Sequence, residues 1–132
     1  MIVPADLEWI VRDHLAERLS NLDVAPHVDN ELTERDYQVV VFSTGGNVRT
    51  VVSSDVRLVF DCYARHPGDA HRLAAHVFAL VRDMDCRRIG DVQFYDVTPE
   101  QPPFHFPHPE KPTLARYQFN ALVHARHVRG DL

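Results

Sequence analysis

The sequence predicts an α+β domain, with two helices packed on one face of a four-stranded, mainly antiparallel sheet in the order α-β-β-α-β-β. Three observations lead there. Residues Arg57 to Ala64 alternate with period two: Leu58, Phe60, Cys62 and Ala64 lie on one face, and Arg57, Val59, Asp61 and Tyr63 on the other. Ala70, Leu73, Ala74, Val77, Leu80, Val81 and Met84 follow at helical spacing, the stripe of an amphipathic helix from about Asp69 to Met84. Only His66-Pro67-Gly68 separates the two, so this strand and helix pack on each other and the rest of the chain is arranged around them.

Taken in order, the first element is a helix from about Pro4 to Leu22, with Leu7, Ile10, Val11, Leu15, Leu19 and Leu22 as its apolar stripe. Pro4 suits the first turn, Asp6 and Glu8 complement the positive end of the helix dipole, and Trp9 reads as a half-buried anchor beside the stripe. From Asp23 to Glu34 the pattern lapses at Pro26 and Asp29-Asn30, with a short extended segment at Val24 to Val28 leading towards the sheet. Tyr37 to Phe42 is rich in β-branched and aromatic residues and reads as a strand. Gly45-Gly46-Asn47 reads as a hairpin tip, with Val48 to Val52 returning from it into the central strand.

After the second helix, Cys86 to Gly90 forms a turn, and Val92 to Thr98 a third strand in which Val92, Phe94 and Asp96 alternate with Gln93, Tyr95 and Val97. The segment Pro99 to Pro112 holds six of the nine prolines and can be neither a central strand nor a helix. Arg116 to Arg126 is a long last strand, with Tyr117, Phe119, Ala121, Val123 and Ala125 on one face and Gln118, Asn120, Leu122, His124 and Arg126 on the other. The tail from Val128 to Leu132 frays. Residues 1–132 thus form a single domain with a proline-rich loop at 99–113.

Composition narrows the function. At 132 residues, 45% hydrophobic and 25% charged, the chain can bury a two-layer core without metal or disulfide staples. No apolar run approaches the roughly 20 residues that span a bilayer, so no membrane partner is expected, and the start lacks a secretory pattern. Cys62 and Cys86 are isolated and read as buried reduced thiols. A formal charge of −5 argues against a tight, sequence-independent grip on DNA.

Residues for chemistry are sparse. The nine histidines show no metal-ligand spacing: His105 and His108 lie among prolines, and His124 and His127 lie on or beyond a strand. Asp61 and Asp96 fall on strands that could bring them together, but isolated polar residues on an open sheet face are the simpler reading. Ser43, Ser53 and Ser54 lack a nucleophile elbow, Gly45-Gly46 precedes no phosphate-binding helix, and Arg87-Arg88 suits a solvated helix end. No catalytic residue, cofactor or metal ligand is assigned. Two features point instead to subunit contacts. Phe104 and Phe106 supply apolar anchors in a stiff, proline-rich segment. On the outer sheet face, Val59, Tyr63 and Leu122 would be exposed beside Arg57, Asp61 and Arg126.

Four blocks carry a resemblance that spans nearly the whole chain: the opening Val3-Pro4-Ala5-Asp6-Leu7-Glu8, the strand Arg57 to Ala64, the helix Ala70 to Met84, and Val97-Thr98-Pro99 through Pro107-His108-Pro109 to Arg116-Tyr117-Gln118-Phe119. With the α-β-β-α-β-β order, they resemble the tail terminator proteins of long-tailed bacteriophages (minor tail or tail-completion proteins), closest to versions from phages of actinobacteria. The motifs are structural, not catalytic, and the nine histidines and dense prolines match no family rule. The resemblance implies a non-enzymatic virion subunit without cofactor. It would form a homo-oligomeric ring, usually a hexamer, that caps the tail tube, stops its polymerisation and offers the head–tail joining surface. The implied partners are other copies of the chain, the major tail tube protein and a head–tail connector protein, with genomic DNA passing through the lumen without sequence-specific binding. The implied location is the head-proximal end of the tail, reached from the host cytoplasm during assembly. Two other readings stand beside it: a head–tail connector stopper or adaptor, and a ferredoxin-like small-molecule binding module or hydrolase using Asp61, Asp96 and the histidines.

Overall fold

In the computed structural model, which describes residues 1–130, the chain runs β1 (Ile2–Val3), α1 (Leu7–Leu19), β2 (His27–Asp29), β3 (Gln38–Thr50), β4 (Ser53–Ala64), α2 (Pro67–Arg82), β5 (Arg88–Ile89), β6 (Val92–Pro99), β7 (Phe104–His105), β8 (Ala115–Arg126) and β9 (Val128–Arg129). Seven strands form one curled, mixed sheet, a half-barrel, in the order β2-β3-β4-β8-β6-β5, with β7 also paired to β8. β1 and β9 make a separate two-stranded ladder. The expected four-stranded, mainly antiparallel sheet in the order α-β-β-α-β-β is therefore incorrect. The strands it omits are two or three residues long, too short to show a period, and they are held by backbone pairing that depends on distant chain.

β4 is the central strand. It pairs antiparallel with β3 from Gln38↔Tyr63 to Thr50↔Ser53, and with β8 from Ser53↔Arg126 to Ala64↔Ala115. One sheet face, carrying Val39, Val41, Leu58, Phe60, Phe119 and Val123, packs on both helices. Phe60 and Phe119 stack with centroids 4.8 Å apart, and Phe78 of α2 meets Phe119 edge-on at 5.3 Å. α1 buries Leu7, Val11, Leu15 and Leu19, one residue per turn. It begins after Asp6, whose carboxylate accepts the Trp9 N–H at 3.1 Å, so Pro4 lies before the helix and not in its first turn. Trp9 points away from the stripe and is 53% exposed. α2 opens on Pro67, where the absent N–H would have been unpaired anyway.

Four further expectations change. The hairpin tip is not Gly45-Gly46-Asn47: β3 continues to Thr50 and turns at Val51-Val52. The glycines make a β-bulge between the pairs Ser43↔Leu58 and Gly46↔Val56, with Gly45 at φ 105°. Tolerance of positive φ suits a bulge as well as a turn, so residue type alone does not separate them. A bulge between Phe94 and Val97 likewise shifts the phase of β6, turning Asp96 out and Val97 into the core. Cys86 is exposed, while Cys62 is buried. Val128 and Arg129 do not fray but pair with Val3 and Ile2; the last two residues of the expected tail lie outside the described residues. No helix of the described residues is long and apolar enough to cross a membrane.

Candidate subunit-contact surface

The sheet face away from the helices is shaped by the proline-rich segment. β6 runs along one edge of β8 as far as Pro99↔Ala121, and the Glu100 N–H donates to the Asn120 carbonyl at 2.9 Å. Gln101, Pro102 and Pro103 then stand opposite Phe119 alone, where two prolines have no N–H to give the ladder. Pairing resumes with Phe104↔Gln118 and His105↔Tyr117, and the Phe106 N–H donates to the Arg116 carbonyl at 2.8 Å. Of the segment expected as a loop, Pro99 to Phe106 is thus interrupted edge strand held by β8, while Pro107 to Thr113 runs through turns outside the sheet.

Arg116 anchors its far end. Its Nε donates to the Phe106 carbonyl at 2.5 Å, its guanidinium lies 4.4 Å over the Phe106 ring, and its Nη1 is 3.5 Å from Asp61 Oδ2. Gln118 Nε2 donates to the other Asp61 oxygen at 2.6 Å. Burial pushes the Asp61 carboxyl above its ordinary range, and the Gln118 donor and the Arg116 charge oppose that rise. Burial, and then the neighbouring Asp61 charge, also push the Tyr63 phenol up.

The eight residues expected on the contact surface therefore divide. Val59, Asp61 and Tyr63 are 8%, 4% and 2% exposed, so the expectation that they face solvent is incorrect. Val40 and Leu114 pack on Tyr63, with Leu32 and Phe42 at the margin of the same cluster. Segments far apart in sequence cover a face that period-two reading leaves open. Arg57 stays exposed and makes a two-pronged contact with Glu100, at 2.6 and 3.1 Å. Leu122 is partly buried, Arg126 is exposed, and Phe104 and Phe106 are 40% and 46% exposed with ring centroids 5.9 Å apart.

Asp61 and Asp96 are not brought together. Asp61 meets Gln118 and Arg116, whereas Asp96 lies beside Arg49 and His124. The His124 neighbourhood is the nearest approach to catalytic geometry: Nε2 is 2.9 Å from Ser53 Oγ, and Nδ1 is 3.7 Å from Asp96 Oδ2. Ser53, however, is 2% exposed and shares its hydroxyl with Thr50 at 2.7 Å, so an acyl donor has no path to it. With the Ser54–His127 bond at 2.6 Å, these contacts tie the turn end of the β3–β4 hairpin to β8 and its C-terminal extension. Among the described residues, no group of three His, Cys, Asp or Glu side chains is placed to hold a metal ion.

The sequence reading missed the apolar end of that hairpin. β2 pairs with β3 only as far as Val40, and beyond it Val48, Val51 and Val52 are 71%, 93% and 39% exposed. The legible signal was Val51-Val52 next to a region with no alternation to bury it. Comparison with models of known protein families and with curated proteins finds no match.

Proposed function

We propose that this chain is a structural assembly subunit of a long-tailed bacteriophage, a tail terminator that forms a six-membered ring on the tail tube, halts its growth and offers a surface to the head connector. The resemblance rests on the four sequence blocks and no longer on element order, which the seven-stranded sheet does not keep. One structural observation supports the reading. The sheet leaves two unlike margins open, and each bears exposed apolar side chains: the β3–β4 hairpin end with Val48, Val51 and Val52, and β7 with Phe104 beside Phe106. Monomers seldom leave such side chains grouped in water without a contact to make. Two different sticky surfaces on one chain favour head-to-tail association, which closes into a ring when the repeated rotation permits.

Native mass spectrometry and electron microscopy of the purified chain, with and without tail tubes, test this. The expected result is a particle of uniform copy number that binds tube ends and blocks their extension. A chain that remains single at every concentration and ignores tubes would overturn it.

A further inference from the structure

The sheet ends on two very short strands, β2 with three residues and β5 with two, and each leaves part of a longer neighbour uncovered. β2 pairs with β3 only as far as Val40, and β5 pairs with β6 only at Val92 and Gln93. A bare strand edge is a template on which another chain can pair. On both edges a carboxylate meets the backbone where the cover gives out. On β3, the Ser43 N–H donates to Glu8 Oε2 at 2.9 Å, and Asn30 Nδ2 donates to the other Glu8 oxygen at 3.3 Å. Glu8 reaches there from the first turn of α1. On β6, the Phe94 N–H donates to the Arg87 carbonyl and the Cys86 N–H to the Tyr95 carbonyl, and the Val97 N–H then donates to Asp85 Oδ1 at 2.8 Å. Beyond the carboxylates, other features continue the protection. The Glu100 N–H donates inward to Asn120, and ladder positions alternate, so Pro99 faces outward. The Phe106 N–H likewise donates inward to Arg116, which turns Pro103, His105 and Pro107 outward, and only His105 of these has an N–H. On β3, the bulge between Ser43 and Gly46 bends the remaining edge before the chain turns at Val51-Val52.

We infer that Glu8 and Asp85 guard the two edges of the sheet, so that copies of this chain meet through side chains and not by adding strand to strand. An incoming strand would have to displace each carboxylate from the N–H it holds. A charge-assisted hydrogen bond is roughly twice as strong as the neutral one that a strand carbonyl offers in its place. The newcomer would also press that charge out of water against its own carbonyl oxygens. The exposed side chains of Val48, Val51, Val52 and Phe104 stay available for contact. The inference does not depend on the ring reading, since it states which kind of contact any assembly of this chain uses.

Removing the guards tests it. E8A/D85A is compared with E8Q/D85N, whose amide oxygens still accept the two N–H groups, and with V77A, a buried-core variant that controls for aggregation through unfolding. Circular dichroism checks that each is folded. Thioflavin T fluorescence, light scattering and amide exchange by NMR are followed from dilute to concentrated protein. In dilute E8A/D85A the Ser43 and Val97 amides are expected to exchange about tenfold faster, because each has lost its acceptor. On concentration this variant alone should form thioflavin-positive assemblies in which the β3 edge from Ser43 to Thr50 regains protection. Faster exchange without such assembly would make the carboxylates local tethers only and overturn the inference. Equal assembly by E8Q/D85N or by V77A would overturn it too, as would new protection of the β3 edge in assemblies of the unaltered chain. If E8A/D85A does not fold, D85A alone decides, since the Asp85 side chain is exposed and its loss costs no core packing. An unaltered chain that never assembles overturns the ring reading only, and the variant comparison still decides this one.

Discussion

Arg116 holds Phe106 by two atoms at once: its Nε donates to the Phe106 carbonyl at 2.5 Å, and its guanidinium lies 4.4 Å above the same residue's ring. With Asp61 on the other side, this one side chain connects a proline-rich edge segment to the middle of the sheet.

Replacing Arg116 with Met should therefore destabilise the fold by about 3–5 kcal/mol, because it leaves the Asp61 carboxylate buried without its counter-charge. The pH dependence has a definite sign. Burial already raises the Asp61 pKa in the folded state, and losing Arg116 raises it further. A carboxyl that binds its proton more tightly when folded loses stability as pH rises and regains it as pH falls into the carboxylate range. Urea denaturation at several pH values should thus show the gap between variant and parent narrowing in acid. A constant gap would contradict the account.

Gly46→Ala tests the bulge. A Cβ there would lie 1.9 Å from the Asp55 carbonyl oxygen, a backbone atom that cannot move without breaking the β3–β4 register. Loss of about 1–3 kcal/mol is expected, together with faster amide exchange confined to residues 44–56. Gly68→Ala has open space and a helical backbone, and should be close to neutral.

Phe104→Ser with Phe106→Ser separates contact from core. Both rings are roughly half exposed, so the double variant should remain a folded monomer; the lost cation–π contact to Arg116 costs only about 0.5–1 kcal/mol. Assembly should fail, and Val51→Ser with Val52→Ser should act in the same way at the other margin. Unfolding of the first pair would place the segment in the core instead.

His14 supplies a second pH effect, opposite in direction. Burial first, then Arg18, lowers its pKa from the ordinary 6.5, with Glu17 and Asp83 opposing and Arg87 reinforcing. A histidine harder to protonate when folded contributes stability that is present above its unfolded value and lost as pH falls through the folded one. Thermal melts should therefore decline below about pH 6.5, and His14→Gln should flatten that part of the profile.

Much of the framework was legible from residue order because it depends on local repetition. The Leu7-Val11-Leu15-Leu19 stripe, the Ala70 to Val81 stripe and the alternation along β4 and β8 each declare a core-facing side from one segment alone. Where a bulge intervened, at Gly45 or between Phe94 and Val97, the same reasoning misplaced a turn and inverted a face, since one extra residue changes the phase of everything after it. The contact surface was half visible. Phe104 and Phe106 were conspicuous as aromatics among prolines, whereas Val59, Asp61 and Tyr63 looked equally open and are not.

The amino-acid order alone determined two helices with one buried stripe each and the positions of the long strands, because helix and strand periods are properties of neighbouring residues. Only the tertiary structure decided the seven-stranded curl and the cover over Asp61 and Tyr63. Those features join residues tens of positions apart through backbone pairing, and backbone groups are the same in every residue except proline, so no side-chain pattern announces them.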